Sequence, residues 1–171
     1  MNIDLSKSLF GPLNTLSQIA FTPLSDHLLF GSVHGDFGVS QIETGNSLLL
    51  HNLGESISHV KVPDDGVICA LMGSNQLSVY DLVKQSPFFS HSQNDVTCLD
   101  FAPTAGTLIL GDQTGNLNFL DLRQKAVASQ IKASDFGVGQ MSIHPFNDLL
   151  MVGDSQGVLK VCSIFFVILD F

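Results

Sequence analysis

The sequence predicts an all-β chain built from one antiparallel meander repeated four times. Three observations carry that prediction. The prolines that close a short alternating strand, Pro23, Pro63, Pro103 and Pro145, are 40, 40 and 42 residues apart. The glycines that close the next apolar run, Gly31, Gly73, Gly111 and Gly153, step by 42, 38 and 42. The last-but-one positions of a third strand, Gln41, Asp81, Asp121 and Ser163, step by 40, 40 and 42. Three markers that keep one period of about 40 residues indicate a repeat architecture rather than chance alternation.

Each unit is then read in order. Its first strand ends in "IAFTP", "VKVP", "LDFAP" or "MSIHP". Turn residues follow in "PLSD", "PDDG", "PTAG" and "PFND", where Pro, Asp, Asn and Gly supply turn geometry. The second strand ends in "LLFGS", "ALMGS", "LILGD" or "LMVGD", and a second turn carries "VHGD", "SNQ", "DQTG" or "DSQG". The third strand reads "FGVSQI", "LSVYDL", "LNFLDL" or "LKVCSI", with the period-2 alternation of a strand. Polar turns "ETGN", "VKQ" and "RQK" precede a fourth strand in units one to three. No stretch of ten or more residues keeps the 3.6-residue period of a helix.

Composition narrows the function classes. The chain has 171 residues, enough for one domain with a real core. Charged residues make up 13% and apolar residues 44%, which argues against disorder. Seven Lys and Arg against 16 Asp and Glu leave a formal charge of -9, ill suited to a phosphate backbone or an anionic membrane. The expectation is therefore no nucleic acid and no membrane insertion. Cys69, Cys98 and Cys162 form no C-x-x-C pair and read as free thiols of a reducing compartment. The N-terminus has no signal-peptide pattern, so a cytoplasmic location is expected, with the nucleus as a further compartment that fits.

A period of 40 to 45 with four strands per unit resembles the WD-repeat β-propeller family. "VPDDG" (62–66) resembles that family's first turn, and "FGSVHG" (30–35) its second strand and turn. "VYDL" (79–82) and "FLDL" (119–122) resemble its Trp-Asp strand end, with Tyr80 and Leu120 where Trp is usual. His51 and His91 echo its Gly-His. The likeness covers roughly residues 15 to 164. The chain has no Trp, and His34, Thr114 and Gln156 stand where the family has its turn Asp, so the family's His–Asp–Trp hydrogen-bond chain is not expected.

The resemblance implies a propeller of about four blades, each a four-stranded antiparallel meander. The blade units are 15–54, 55–94, 95–134 and 135–171 within one domain, 1–171, and residues 1–12 form the outer strand of a preceding or closing blade. "SIFFVILDF" replaces the polar turn of the fourth unit, so an open or partial propeller that self-associates is expected. The resemblance also implies a non-catalytic scaffold, a subunit or adaptor of an intracellular assembly, whose partners are proteins or peptides, or further blades from the same or another chain. The binding face then presents His34, Asp36, Asn75, Gln76, Gln113, Thr114, Ser155 and Gln156 from the second turns. The connections between blades add Asn52, Glu55, Asn94, Asp95, Asp135 and Phe136.

Catalytic readings were weighed against this. Gly153-Asp154-Ser155-Gln156-Gly157 fits G-x-S-x-G, but a nucleophile elbow needs a helix after it, whereas "VLKVCSI" is a strand pattern. The equivalent "GDQTG" keeps both glycines and holds Gln113 in the Ser155 slot. A propeller hydrolase with a site in its channel is the alternative, with Gln18, His59, Thr97 and Gln140 at inner strand ends and no clear acid–base pair among them. Histidine spacing gives no metal motif; no metal, cofactor or catalytic residue is expected. Ser155→Ala should leave thermal stability within ~0.5 kcal/mol of the parent, and a fluorophosphonate probe should not label Ser155; covalent labelling there would overturn the turn-serine reading.

Overall fold

The computed structural model describes residues 15–23, 26–92, 94–103, 106–144 and 149–164. It divides into two compact units, Met1–Ser92 and Gln93–Phe171. Among the described residues, all regular structure is strand. The proposed outer strand at 1–12 and the terminal "FFVILDF" (165–171) lie outside the described residues.

The first unit holds two sheets. Strands β1 (Leu16–Phe21), β2 (His27–Ser32), β3 (Asp36–Gln41) and β4 (Ser47–Asn52) pair in chain order, all antiparallel. Strands β5 (His59–Lys61), β6 (Ile68–Met72), β7 (Gln76–Asp81) and β8 (Ser86–Ser92) repeat that order. The second unit has a third sheet of β9 (Val96–Phe101), β10 (Thr107–Asp112), β11 (Asn116–Asp121) and β12 (Ala126–Lys132). Its fourth sheet has three described strands, β13 (Val138–Ile143), β14 (Leu149–Asp154) and β15 (Leu159–Ser163). Among the described residues each meander is open, its strands paired only in chain order, as short hairpin connections produce.

Burial explains the strand patterns. The central strands β6, β7, β10 and β11 are buried along most of their length, because both faces of a central strand pack on neighbours. The edge strands β4 and β12 alternate between half-buried and exposed. Within the first unit Leu29, Phe37, Leu53, Ile57, Val60, Cys69, Leu71 and Tyr80 form one core. Within the second, Cys98, Ile109, Leu117, Phe119, Val138, Leu150, Val152 and Ile164 belong to another. Tyr80, in the slot where the resembled family has Trp, is 1% exposed and meets Phe37 edge-on at 5.5 Å. Its hydroxyl donates to Leu50 O at 3.3 Å, satisfying the one polar atom that burial would orphan. Leu120 fills the same slot in the third sheet and is fully buried. His51 packs on Tyr80 at 5.9 Å and His91 stacks on Phe89 at 6.0 Å, so both echo histidines lie against rings.

The Asp that follows the Trp slot has a local task. Asp81 Oδ1 accepts from the amides of Val83 and Lys84 at 3.0 and 2.8 Å. Asp121 Oδ1 accepts from Arg123 and Gln124 at 2.7 and 3.1 Å. Both carboxylates therefore fold the turn into the fourth strand, as Asx side chains do.

The glycines correct one expectation. The sequence treats Gly111 and Gly153 alike, as sites where packing or positive φ excludes a side chain. Neither has positive φ; that conformation falls on the second turn glycine, Gly35, Gly115 and Gly157, at φ 88°, 88° and 82°. Gly111 is a close-approach site, where an added Cβ would lie 2.7 Å from Val138 Cγ1 and 2.8 Å from Cys98 Sγ. At Gly153 it would meet only Gln140 O, at 3.9 Å. The difference arises because β13 of the next sheet lies over Gly111. Gly111→Val should therefore lower stability by about 1–3 kcal/mol through overpacking, with Gly153→Val costing much less; equal thermal melting shifts for the two would contradict this packing.

Candidate functional site

The β2–β3 class of turn recurs in every sheet, and its amides need acceptors. Ser32 Oγ accepts from His34 and Asp36 N at 3.2 and 3.0 Å. Asp112 Oδ1 accepts from Thr114 and Asn116 N, both at 2.9 Å. Asp154 Oδ1 accepts from Gln156 and Val158 N at 3.0 and 2.9 Å. The strand register corrects the glycine spacing here by one residue. Met72 pairs with Leu77 as Gly31 pairs with Phe37 and Gly111 with Leu117. The residue of the second sheet equivalent to Ser32 and Asp112 is therefore Gly73, which has no side chain, and not Ser74. There Glu55 reaches over from the connection, and its carboxylate accepts from Asn75 and Gln76 N at 3.1 and 2.8 Å. Glu55 is thus a turn acceptor, not only a surface residue of the face.

Connections between sheets then clamp these turns. In the first unit Leu53 N donates to Gly35 O at 2.8 Å. Asn52 Nδ2 donates to Asp36 Oδ1 at 2.7 Å, and Asn52 Oδ1 accepts from Gly54 N at 2.7 Å. The expected residues so form two hydrogen-bonded groups, Asp36 with Asn52, and Glu55 with Asn75 and Gln76. Asp36 and Gln76 are half-buried in them, while His34 and Asn75 remain exposed.

In the second unit Ala133 and Ser134 N both donate to Gly115 O, at 2.9 and 3.0 Å. Ser134 Oγ donates to Asp154 Oδ2 at 2.6 Å, and the ammonium of Lys132 donates to Thr114 O. Lys160 Nζ donates to Ala133 O at 2.7 Å. Gln113 N donates to Asp95 O at 2.9 Å, and Ser155 N to Gly137 O at 2.9 Å. The expected residues Asp95, Gln113, Thr114, Asp135, Phe136, Ser155 and Gln156 all lie exposed around this frame, as does Asn94. Phe136 is 49% exposed, a large aromatic held open on a rigid loop.

A depression of about 320 Å³ within this unit is lined by Thr97, Gln113, Gly137, Val138, Gly139 and Ser155. Thr97 Oγ1 donates to Val138 O and to Gly111 O, so this channel candidate joins two sheets. Ser155 is followed by Gly157 and then β15, a strand-to-strand turn. Among the channel candidates of the first unit, burial beside Lys61 pulls the His59 pKa below its usual value. Among the described residues, no three His, Cys, Asp or Glu side chains group as metal ligands. Cys69 and Cys98 are buried and Cys162 half-buried, all as free thiols.

The turn-capping residues Ser32, Asp112 and Asp154, with Ser134 and Lys132, were not among the expected site residues. A signal existed for three of them: Gly-Ser or Gly-Asp recurs at one place in the repeat. Ser134 and Lys132 have no such signal, since their partners lie in the preceding or following turn.

Asp112 is buried, which raises its pKa, yet hydrogen bonds from Thr114, Asn116 and Asn118 outweigh that and hold it below the usual carboxylate value. Asp154 is lowered chiefly by the Ser134 hydroxyl. A lowered folded-state pKa contributes stability above the unfolded value, which is lost as pH falls through the folded one. The second unit should therefore hold its melting temperature from neutral pH down to about 5 and lose it below about 4. Asp112→Asn with Asp154→Asn should flatten that acid limb; an unchanged limb in the double variant would contradict the assignment.

No family model matches the chain. WD repeat-containing protein 46 of Homo sapiens is 23% identical over 162 residues, 95% of this chain and 26% of that protein. Among solved structures, a chain in "Crystal Structure of Mitotic Checkpoint Complex" superposes with a TM-score of 0.76 at 16% identity. That superposition covers 95% of this chain and 56% of the other, and it shows the fold: about four blades of a partial β-propeller. The chain spans about a quarter of the length of the curated relative it matches.

Proposed function

We propose that this chain, a WD-repeat β-propeller protein by its repeated blades and by these likenesses, is a non-catalytic protein-interaction scaffold, a subunit or adaptor of a multiprotein assembly. One observation carries the reading. The second turns and blade connections are locked by backbone hydrogen bonds, yet they leave His34, Asn75, Gln113, Thr114, Ser155, Gln156, Asp95 and Phe136 exposed. Apart from Thr114, whose hydroxyl is bonded to Asp112 and Asn116, these exposed side chains on hydrogen-bonded loops suit recognition, because little order remains to be gained on binding. A polar or basic peptide fits the acidic balance of the chain.

Further blades, from the same or another chain, are the second class of partner. In the first unit β1 exposes Leu16, Ile19 and Phe21, each above 50%. In the second, β14 and β15 expose Leu149, Met151, Leu159 and Val161. Apolar sheet faces of this kind are what neighbouring blades cover. The buried free thiols accord with a cytoplasmic or nuclear compartment.

The test is a pair of photo-crosslinking variants of the full chain, one with p-benzoylphenylalanine in place of Phe136 and one in place of Val127 on the edge strand β12. The first should capture specific partner proteins, and adding Gln113→Ala and Gln156→Ala to that same crosslinking chain should lose those partners at an unchanged melting temperature. Undiminished capture after the double substitution, or equal capture from position 127, would overturn the reading.

A further inference from the structure

A second pocket lies within the first unit, at the opposite strand ends from the candidate face. It has a volume of about 420 Å³ and a floor of Leu29, Val39, Leu50 and Leu82. Its rim carries Asp26, Asp64 and Asp65. The turns that frame it are fixed. Asp65 Oδ1 accepts from Val67 N at 3.0 Å, Leu82 N donates to Val67 O at 2.9 Å, and Ile42 N donates to Asp26 O at 3.0 Å. Gly66, at φ 65°, lies against Pro23.

The repeat shows why space remains here. By register, Val39 corresponds to Phe119 and Leu82 to Ile164. In the second unit Phe119 and Ile164 are both buried, in one cluster with Ile109, the counterpart of Leu29. In the first unit the smaller Val39 is only half-buried and Leu82 likewise. The pocket is a hydrophobic slot that the other pair of blades fills with its own ring.

Its charge names the occupant. Asp26 is engaged by His27 Nδ1 at 2.9 Å and by the Thr22 hydroxyl at 3.3 Å. Asp64 is exposed, and no Lys or Arg lines the pocket. An apolar floor under a carboxylate rim complements an aliphatic side chain flanked by cationic ones. We propose that this pocket docks a lysine- or arginine-bearing peptide segment of another protein by one buried aliphatic side chain. This goes beyond the scaffold reading, since it uses none of the residues of the candidate face.

The probe is a fluorescein-labelled peptide, Lys-Lys-Gly-Leu-Leu-Gly-Lys-Lys, titrated into the full chain and followed by anisotropy and by methyl NMR. Binding should move the methyl signals of Val39, Leu50 and Leu82. Val39→Phe, which installs the ring of the third blade, should abolish it. Asp64→Lys, at an exposed side chain, should weaken it about tenfold at an unchanged melting temperature, and raising salt to about 500 mM should do the same. A peptide with both leucines changed to serine should not bind. Equal binding by the serine peptide or by Val39→Phe would overturn the proposal, as would methyl shifts confined to the candidate face. Contacts from these methyls to a second copy of the chain would overturn it in favour of self-association. Loss of crosslinking at Phe136 with this binding intact would instead count against the scaffold reading alone.

Discussion

The structure depends on satisfying the amides of the turn between the second and third strands of each blade. A meander places that turn where the ladder ends, so two of its N–H groups in each sheet take a side-chain acceptor while others donate to backbone carbonyls. Ser32, Asp112 and Asp154 supply it from the preceding residue, and Glu55 supplies it from a connection. Each such bond contributes only about 1 kcal/mol net, or somewhat more with an ionised acceptor. Burial of the Leu, Ile and Phe side chains contributes far more in sum. The small term still decides the architecture. Once the turn is closed, Gly35 O and Gly115 O point at the incoming connection and receive its amides. That clamp sets where the next first strand begins, so Ile57 falls over Gly31 and Val138 over Gly111. Apolar burial makes the blades stable, and the turn amides set their register.

Most of the fold was legible because its signals are local. Strand alternation, turn residues and a fixed period each sit within a few residues, and fifteen strands lie where those signals place them. The absence of Trp did not blur the reading, because the slot demands burial rather than one ring. Tyr80 meets it with a hydroxyl bonded to Leu50 O, and Leu120 meets it with none to satisfy. What was not legible is long-range. Nothing around Glu55 announces that its carboxylate will stand in for a missing side chain at Gly73, 18 residues on in the sequence. Gly111 and Gly153 look identical in the sequence, and only the strand laid over the first distinguishes them. The residues of the candidate face do fall in the second turns and connections, but which of their side chains are tied was not legible. Asp36 and Asn52 bond each other, while His34, two residues before Asp36, stays exposed.

The acidic side chains have mostly one occupation, and it bears on what chemistry the chain can do. Asp36, Glu55, Asp65, Asp81, Asp112, Asp121 and Asp154 all accept hydrogen bonds from turn amides or a neighbouring amide side chain. Those bonds favour the ionised form, and Asp81, Asp112 and Asp154 are held below the ordinary carboxylate value. A general acid needs the opposite, a carboxyl whose pKa is raised toward neutrality by burial or by a like charge. Asp81, Asp112 and Asp154 are shifted the wrong way for that task. The groups left outward on the same turns are amides, hydroxyls and an imidazole, with the Phe136 ring exposed on a connection beside them. The turns thus commit several carboxylates to their own amides and leave softer hydrogen-bonding groups exposed, an arrangement in keeping with the proposed scaffold role.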